Sequence, residues 1–347
     1  MFLSQFKNKP VIIAEIGVNH NGCFNLARQM IEAAAQAGAD LVKMQTFTAD
    51  ECASRFSPKA DYQQLQAAKN QFELLKQLEL PLEKFAELKA YAEQLGLTFL
   101  STPDGSKSLQ CLLDLKPAAI KVASGEITNL PFLQQIAASG LPVIISTGMS
   151  TIGETEKAID CLQSNGCPEL MLLHCTSQYP APAPDINLKA MQTMQQAFNL
   201  PVGFSDHSMG YEAAIAATAL GAQIIEKHFT LDRSLTGPDH AASLEPEELK
   251  ALVTSLRKTA TMLGNGLKVP ATCEAGNRQT VRRSLVAARQ ISAGETLKPA
   301  MLTCKRPGTG IAPEMLAYVV NRLVLTDISI DTPISWNQLG PIKQDDC

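Results

Sequence analysis

No run of apolar residues approaches the ~20 that a helix needs to cross a bilayer, and no GxGxxG loop follows the first apolar segment, Val11–Gly17. The first absence excludes a membrane-spanning helix, and the second weakens a doubly wound, nucleotide-binding sheet. Met1 to Pro10 carries Lys7 and Lys9 without a long apolar stretch or cleavage site behind them, so no secretory signal is expected. The nine cysteines never form a CxxC pair. Cys52, Cys111, Cys161 and Cys175 fall in or near predicted helices and strands, which suits reduced structural thiols in a cytoplasmic protein better than a disulfide scaffold. Excess charge of one sign is also lacking: a net of −4 gives no global attraction to nucleic acid or an anionic membrane. An anionic ligand must therefore be held by a local cluster of cations.

The 347 residues suit one (β/α)8 TIM barrel and a small second domain. Nearly continuous apolar runs predict parallel strands at Val11–Gly17, Leu41–Phe47, Thr98–Pro103, Ala119–Ser124, Val143–Gly148, Leu170–Thr176, Val202–His207 and Gln223–Thr230. Helical stretches between and after them include Asn25–Ala37, Phe72–Leu95, Ile152–Ser164, Tyr211–Leu220 and Pro246–Leu263. Gly38 and Gly96 stand where C-terminal caps belong. This α/β alternation predicts a closed barrel over residues 1–265, with an open doubly wound sheet as the alternative. A Gly-, Lys- and Pro-containing linker over 266–281 is expected next. Short strand-like pieces broken by Gly and Pro then predict a small compact domain over 282–347. Its size gives little independent stability, so it is expected to dock on its own barrel or on a partner subunit.

Polar residues collect at the strand ends: Glu15; Lys43 and Gln45; Ser101 and Thr102; Lys121 and Ser124; Ser146 and Thr147; Thr176 and Ser177; Ser205, Asp206 and His207; Glu226 and His228. In a barrel these converge at the C-terminal mouth, where active sites of this fold lie. His207 and His228 end neighbouring strands, within reach of one metal ion, with Glu15 or Glu226 as nearby ligand or outer support. Two nitrogens with open positions suit Mn2+ or Mg2+ acting as a Lewis acid. A lone histidine is more often a hydrogen-bonded structural residue, and His174 is read that way. Lys43 and Lys121 point into the mouth either to bind a phosphate or carboxylate, or to form a Schiff base. The clustered donors of Thr102, Ser124, Ser146, Gly125 and Gly148 favour an anion cradle.

The segments VIIAEIGVNHNG (Val11–Gly22), VKMQTF (Val42–Phe47), IKVASGEITNL (Ile120–Leu130), ISTGM (Ile145–Met149), HCTSQYPAP (His174–Pro182), GFSDH (Gly203–His207), EKHFT (Glu226–Thr230) and GPDHAASLEPEELK (Gly237–Lys250) resemble those of the sialic acid synthase family, in order. Arg283–Ile311, with KRPGTG at Lys305–Gly310, resembles the antifreeze-like (SAF) domain that follows the barrel in that family. The resemblance implies condensation of phosphoenolpyruvate with an N-acylated mannosamine-type sugar to a nine-carbon 2-keto acid and phosphate. It also implies a divalent ion, Mn2+ first with Mg2+ or Co2+ as substitutes, and a domain-swapped homodimer. By resemblance His207 and His228 hold the metal, and Glu15 and Glu126 sit near the metal, water and reacting sugar, with Glu126 as the proton-transfer candidate. Lys43, Lys121, Ser124 and Ser146 bind phosphoenolpyruvate with Gln45 and Thr102 beside it, and Tyr179, Ser205 and Asp239 lie toward the sugar. Arg306 reaches the partner subunit's site, at the sugar N-acyl group.

Two departures stand out. Asp104 occupies a place where many relatives have Phe, and it is expected to point to the sugar or the rim because an anion beside a phosphate is unfavourable. Ser177-Gln178 falls where relatives carry varied pairs, so sugar choice is expected at these rim positions. SPKADYQ (Ser57–Gln63) looks like the bacterial branch shared by sialic and legionaminic acid enzymes. N-acetylneuraminate is the expected product, with legionaminate and then pseudaminate as alternatives. A Schiff-base pyruvate aldolase and a non-catalytic sugar-binding protein are the other readings. The second conflicts with the presence together of Glu15, Lys43, Lys121, Glu126, His207 and His228.

Overall fold

The computed structural model describes residues 2–6, 9–60 and 68–342. Lys7, and the Asp61–Gln63 part of the SPKADYQ loop, lie outside the described residues. The chain divides into two compact units, one ending at Gly264 and the next beginning at Asn265. Among the described residues no helix is long and apolar enough to cross a membrane, and each described cysteine is free.

The first unit carries eight strands: β1 Val11–Gly17, β2 Leu41–Thr46, β3 Thr98–Pro103, β4 Ile120–Val122, β5 Val143–Ser146, β6 Leu170–Cys175, β7 Val202–Asp206 and β8 Ile224–His228. Their order is β3-β2-β1-β8-β7-β6-β5-β4, every hydrogen-bonded pair being parallel. With β3 and β4 side by side at the seam, they form a nearly closed barrel.

Among the described residues ten helices lie in this unit: α1 Phe24–Ala37, α2 Ala49–Cys52, α3 Gln71–Leu78, α4 Lys84–Gln94, α5 Ser106–Asp114, α6 Leu130–Ala137, α7 Ile152–Ser164, α8 Lys189–Phe198, α9 Glu212–Ala219 and α10 Pro246–Leu263. The predicted helix Phe72–Leu95 is two, α3 and α4, because Pro81 removes a donor and disfavours helix at the residue before it. α1 stops at Gly38, whose left-handed φ of 85° lets its N–H reach back to the last turn. A Thr151/Glu154 capping box starts α7, and Pro246 at the first turn with a Glu245/Glu248 box starts α10.

Alternation along the strands places the site. Inward-facing Ile13, Leu41, Leu100, Ala119, Ile144 and Ile224 form one buried apolar layer, closed at the strands' N-terminal ends by Phe2, Leu3 and Phe6. Two residues further along the same faces stand Glu15, Lys43, Thr102, Lys121, Ser146 and Glu226, all buried. The intervening residues, such as Ala14, Val42, Ile120, Ile145, Leu172 and Ile225, face the helices in the main core. One barrel wall is thus apolar behind and polar ahead, at a spacing set by the pleat.

Several predicted strands end earlier than expected. Ser124 opens a 3-10 turn, Ser124–Glu126, and Gly148, Thr176 and His207 lie beyond the last ladder residues. Of these, Ser124 and His207 line the mouth. Two strand-end polar groups are structural instead: Ser101 Oγ lies 2.6 Å from Thr46 Oγ1 and donates to Met44 O, and Thr147 Oγ1 donates to Leu173 O.

The second unit contains two two-stranded antiparallel ladders, β9 Ser284–Ala287 with β10 Leu302–Lys305, and β11 Arg322–Val324 with β12 Leu339–Ile342. They surround an apolar cluster including Leu285, Ile291, Leu297, Val324 and Ile334. The stretch expected as linker holds a 3-10 turn, Thr272–Glu274, and α11 Ala275–Val281. α12 Leu316–Val319 completes the unit's helices.

Candidate active site

A cavity of about 140 Å3 opens at the C-terminal ends of the barrel strands, lined among others by Glu15, Lys43, Gln45, Thr102, Lys121, Ser124, Ser146, Tyr179, Ser205, His207 and His228. Eleven of the fourteen residues the sequence singles out therefore converge on it, from all eight strands or the loops that follow them. Glu226 and Asp104 also line it. Glu226 was readable in part: in EKH it must share a face with His228.

The floor is ionic. Lys43 Nζ lies 3.0 Å from Glu15 Oε1 and 3.6 Å from Glu226 Oε1, and donates to Thr102 Oγ1 at 3.4 Å. Lys121 Nζ donates to Ser146 Oγ at 2.7 Å and Val122 O at 3.0 Å, 4.0 Å from Glu226 Oε2. A register shift between Glu15 and Gly17 marks a bulge at the end of β1 that aims Glu15 across the cavity, where Gln45 Nε2 donates to it at 3.4 Å. Burial pushes the Glu15 carboxyl up to about 7 against the pull of Lys43. Burial lowers Lys121. For Lys43 burial works the same way, but Glu15 and Glu226 outweigh it and raise it. Glu226 is held below its ordinary value because Lys121 and Lys43 overcome its desolvation. Glu15 Oε2 and Glu226 Oε2 are buried without a hydrogen-bond partner, an arrangement that burial penalises unless a ligand completes it.

Beside Lys121 the loops after β4, β5 and β6 build a concave donor cluster. Gly148 N donates to Ser124 Oγ at 3.1 Å, and that hydroxyl lies 3.2 Å from Cys175 Sγ. A Cβ at Gly148 would stand 2.2 Å from Ser177 Oγ and 2.9 Å from both Cys175 Sγ and Ser124 Oγ. Glycine is required here by space. Overpacking of this kind costs about 1–3 kcal/mol of stability, so Gly148→Ala is expected to lower the thermal midpoint and, by displacing the Ser124 hydroxyl, to weaken inorganic phosphate binding. Calorimetric titration checks it, and unchanged phosphate affinity would remove the hydroxyl cluster from the anion site.

The opposite wall holds the imidazoles, with ring centroids 5.5 Å apart. His207 Nδ1 lies 2.7 Å from Thr176 O. A carbonyl only accepts, so Nδ1 carries the proton and Nε2 presents a lone pair. The Tyr179 hydroxyl at 3.1 Å and the Ser205 hydroxyl at 3.3 Å face that lone pair. Burial lowers His207 to about 4 and His228 well below its ordinary value, so both rings are neutral at pH 7. His228 Nδ1 is buried without a hydrogen bond, Asp239 Oδ2 standing off at 3.7 Å. Among the described residues no three His, Cys, Asp or Glu side chains converge as a metal cage. Two neutral nitrogen-bearing rings, one with a buried Nδ1 that has no hydrogen bond, fit a divalent ion whose other positions go to water or substrate.

Three expected residues lie elsewhere. Glu126 follows Ser124 through the 3-10 turn, which carries it past the cavity, and its Oε2 accepts from Asn129 Nδ2 at 2.6 Å. It lines a neighbouring cavity of about 300 Å3 with Glu51, Asn129 and Phe132. Asp239, pushed up to about 6 by burial, lies behind His228, where Ser243 Oγ donates to its carbonyl at 2.7 Å. Arg306 is exposed on the second unit, just after β10. His174 is structural, with Nε2 2.7 Å from Ile186 O.

Asp104, expected toward the sugar or the rim, lines both the lysine-bearing cavity and the neighbouring one. Desolvation and the nearby Glu126 push its carboxyl up to about 7, so at neutral pH much of the expected charge conflict is removed by a proton.

Comparison with known proteins finds matches along both units of the chain. The NeuB family model matches residues 30–268 and the SAF domain model residues 282–340. An N,N'-diacetyllegionaminic acid synthase of Campylobacter jejuni is 48% identical over 308 residues, 88% of this chain and 92% of that protein. The protein of the same name from Legionella pneumophila is 45% identical over 334 residues, 94% of each. A solved N-acetylneuraminic acid (sialic acid) synthetase from Leptospira borgpetersenii, in complex with citrate, superposes with a TM-score of 0.70 at 38% identity, over 78% of this chain and 90% of that one.

Proposed function

The chain belongs to the NeuB family, and we propose that it condenses phosphoenolpyruvate with an N-acylated mannosamine-type sugar, giving a nonulosonic acid and phosphate. It is a phosphoenolpyruvate-dependent enzyme that forms carbon–carbon bonds in nonulosonic acid synthesis. The observation that carries the finer reading is the two-sided cavity: buried Lys43 and Lys121 with a hydroxyl cradle on one side, two neutral imidazoles on the other.

In this reading Lys43, Lys121, Ser124 and Ser146 bind the phosphate and carboxylate, with Gln45 and Thr102 fixing the enol face. His207 and His228 would hold a divalent ion, Mn2+ first, which when bound supplies Lewis acidity toward an aldehyde oxygen. The phosphoenolpyruvate methylene carbon forms the new bond to the aldehyde carbon, and that oxygen gains a proton. Water adds at C2 and loses one proton, and the resulting C2 hydroxyl gives up its proton as the C2–O bond to phosphate breaks, leaving the 2-keto group and inorganic phosphate. Glu15, with its carboxyl near 7 and a free buried oxygen, is better placed than Glu126 to move these protons. Glu126 and Asp104 face the neighbouring cavity, where sugar substituents would extend, and Tyr179, Ser205 and Asp239 support the sugar side.

Both candidate sugars have relatives in support, and the identities of 48% and 45% make the 2,4-diacetamido-2,4,6-trideoxy sugar the first to test against N-acetylmannosamine. Phosphate release and product mass with each sugar, phosphoenolpyruvate and Mn2+ provide the test. Higher kcat/KM with the diacetamido sugar is expected, and a preference for N-acetylmannosamine would make the chain a neuraminate synthase. Turnover with neither would sink the proposal.

Asp104 gives the pH dependence a direction. As pH rises through about 7 its carboxyl loses its proton beside Lys43 and Lys121, so KM for phosphoenolpyruvate should rise. Asp104→Asn is expected to flatten that rise and lower KM at alkaline pH about tenfold, a change worth one pKa unit of interaction. An unchanged slope would assign the effect to Glu15 alone.

A domain-swapped homodimer, in which Arg306 serves a partner's site, accounts for an exposed arginine on so small a domain. Truncation after Gly264 is expected to leave a folded barrel with kcat/KM reduced about 10²-fold, as for lost substrate positioning. Unimpaired turnover would remove the small domain from the mechanism.

A further inference from the structure

Two buried charges have no part in this chemistry. Asp206 and Lys227 are register partners on β7 and β8, their side chains are fully buried, and Lys227 Nζ lies 3.0 Å from Asp206 Oδ2. Neither lines the catalytic cavity. Strand alternation turns them outward, into the layer where the preceding outward residues of the same strands, Phe204 and Ile225, are apolar core. An ion pair inside an apolar layer is a poor way to gain stability, because desolvation offsets most of its attraction and an apolar pair of similar volume often does as well or better.

The remaining contacts show where the pair acts. Lys227 Nζ donates to Ser208 O at 2.5 Å, while Asp206 Oδ1 accepts from Ser208 N at 2.9 Å and Ser208 Oγ at 2.6 Å. Asp206 and Ser208 bracket His207, and Lys227 immediately precedes His228. On the inner face Ser205 Oγ donates to Glu226 Oε1 at 3.0 Å, tying the same strands together, and Thr176 O holds the far side of the His207 ring. Both imidazoles therefore hang from backbone clamped on its outer side by three residues that no substrate reaches.

We propose that Asp206, Lys227 and Ser208 form a positioning lock that fixes the spacing of the His207 and His228 rings. This rests on reading the two rings as a shared ligand pair, and it goes beyond that reading by locating what holds them apart. The lock acts through backbone placement, so its three residues are positioning residues rather than catalytic ones.

The test replaces both charges together, Asp206→Leu with Lys227→Met, in the full-length protein. Three readouts are taken: thermal midpoint, Mn2+ affinity by calorimetry, and a crystal structure for the ring spacing. Because both charges leave at once, the midpoint should stay close to the parent's. Mn2+ affinity should fall about 10–100-fold, as for loss of outer support at other metal sites, and the ring spacing should change. Parental midpoint, affinity and spacing together would overturn the proposal. Should the double variant not fold, Ser208→Ala decides: it removes only the hydroxyl contact to Asp206, so reduced Mn2+ affinity at an unchanged midpoint supports the lock, and unchanged affinity overturns it. If the parent binds no Mn2+, the ligand reading fails by itself. The ring spacing in the parent and Ser208→Ala structures then decides the lock, a difference supporting it and an identical spacing refuting it.

Discussion

Lys121→Met is expected to lower kcat/KM for phosphoenolpyruvate by about 10²–10³ and to leave the barrel folded. Methionine keeps much of the apolar stem but ends the contacts of Nζ to Ser146 Oγ and Val122 O, and the approach to Glu226. Truncating one member of a buried, hydrogen-bonded charge cluster costs about 2–5 kcal/mol, which at 1.36 kcal/mol per decade spans those rates. The loss should fall mainly on KM and on inorganic phosphate binding, because the role assigned to Lys121 is to hold an anion. A variant with normal KM, and turnover lost only at the covalent step, would point to the Schiff-base alternative.

The second large effect concerns the imidazoles. His207→Ala and His228→Ala are each expected to reduce Mn2+ affinity more than about 100-fold, since even outer-shell losses reach that value. Turnover at a fixed low Mn2+ concentration should fall in parallel. Each ring is neutral because burial lowers it, and each lines the cavity. Stability should change little, because neither ring carries a structural ion pair at neutral pH. Titration of Mn2+ against activity separates weakened loading, which excess Mn2+ would partly restore, from loss of a catalytic group, which it would not. Full activity in excess EDTA would contradict the metal reading for parent and variants alike.

Most of the barrel was legible because its strands are buried on both faces and so read as unbroken apolar runs, with β1 and β3 ending where the sequence places them. Strand ends were less legible. Ser124, Thr176 and His207 continue a strand-like pattern, but the ladder stops before them: Ser124 Oγ accepts from Gly148 N, and Thr176 O accepts from His207 Nδ1. α5, α6 and α8 were not among the helical stretches read from the sequence, although Asn129 with Pro131 marks the start of α6.

At the site, period-two spacing gathers Glu15, Lys43, Thr102, Lys121, Ser146, Ser205, Glu226 and His228 without reference to any relative. Glu126 was not separable from Ser124 by spacing, because a 3-10 turn, which the pattern does not encode, sends them to different cavities. That Asp104 borders the lysines as well as the neighbouring cavity was not legible either. A formal charge counted from sequence is not the charge of a desolvated carboxyl beside Glu126, whose proton is retained to about 7.

The central claim is that the two lysines bind an anion while the opposite wall activates an aldehyde, with no covalent link to the protein. One measurement addresses it directly: incubation with phosphoenolpyruvate, the amino sugar and Mn2+, followed by borohydride, with phosphate and protein mass determined on the same sample. The account predicts one phosphate released per nonulosonic acid formed, with Lys43 and Lys121 unmodified. Borohydride-trapped adduct on either lysine, with turnover persisting in EDTA, would contradict it.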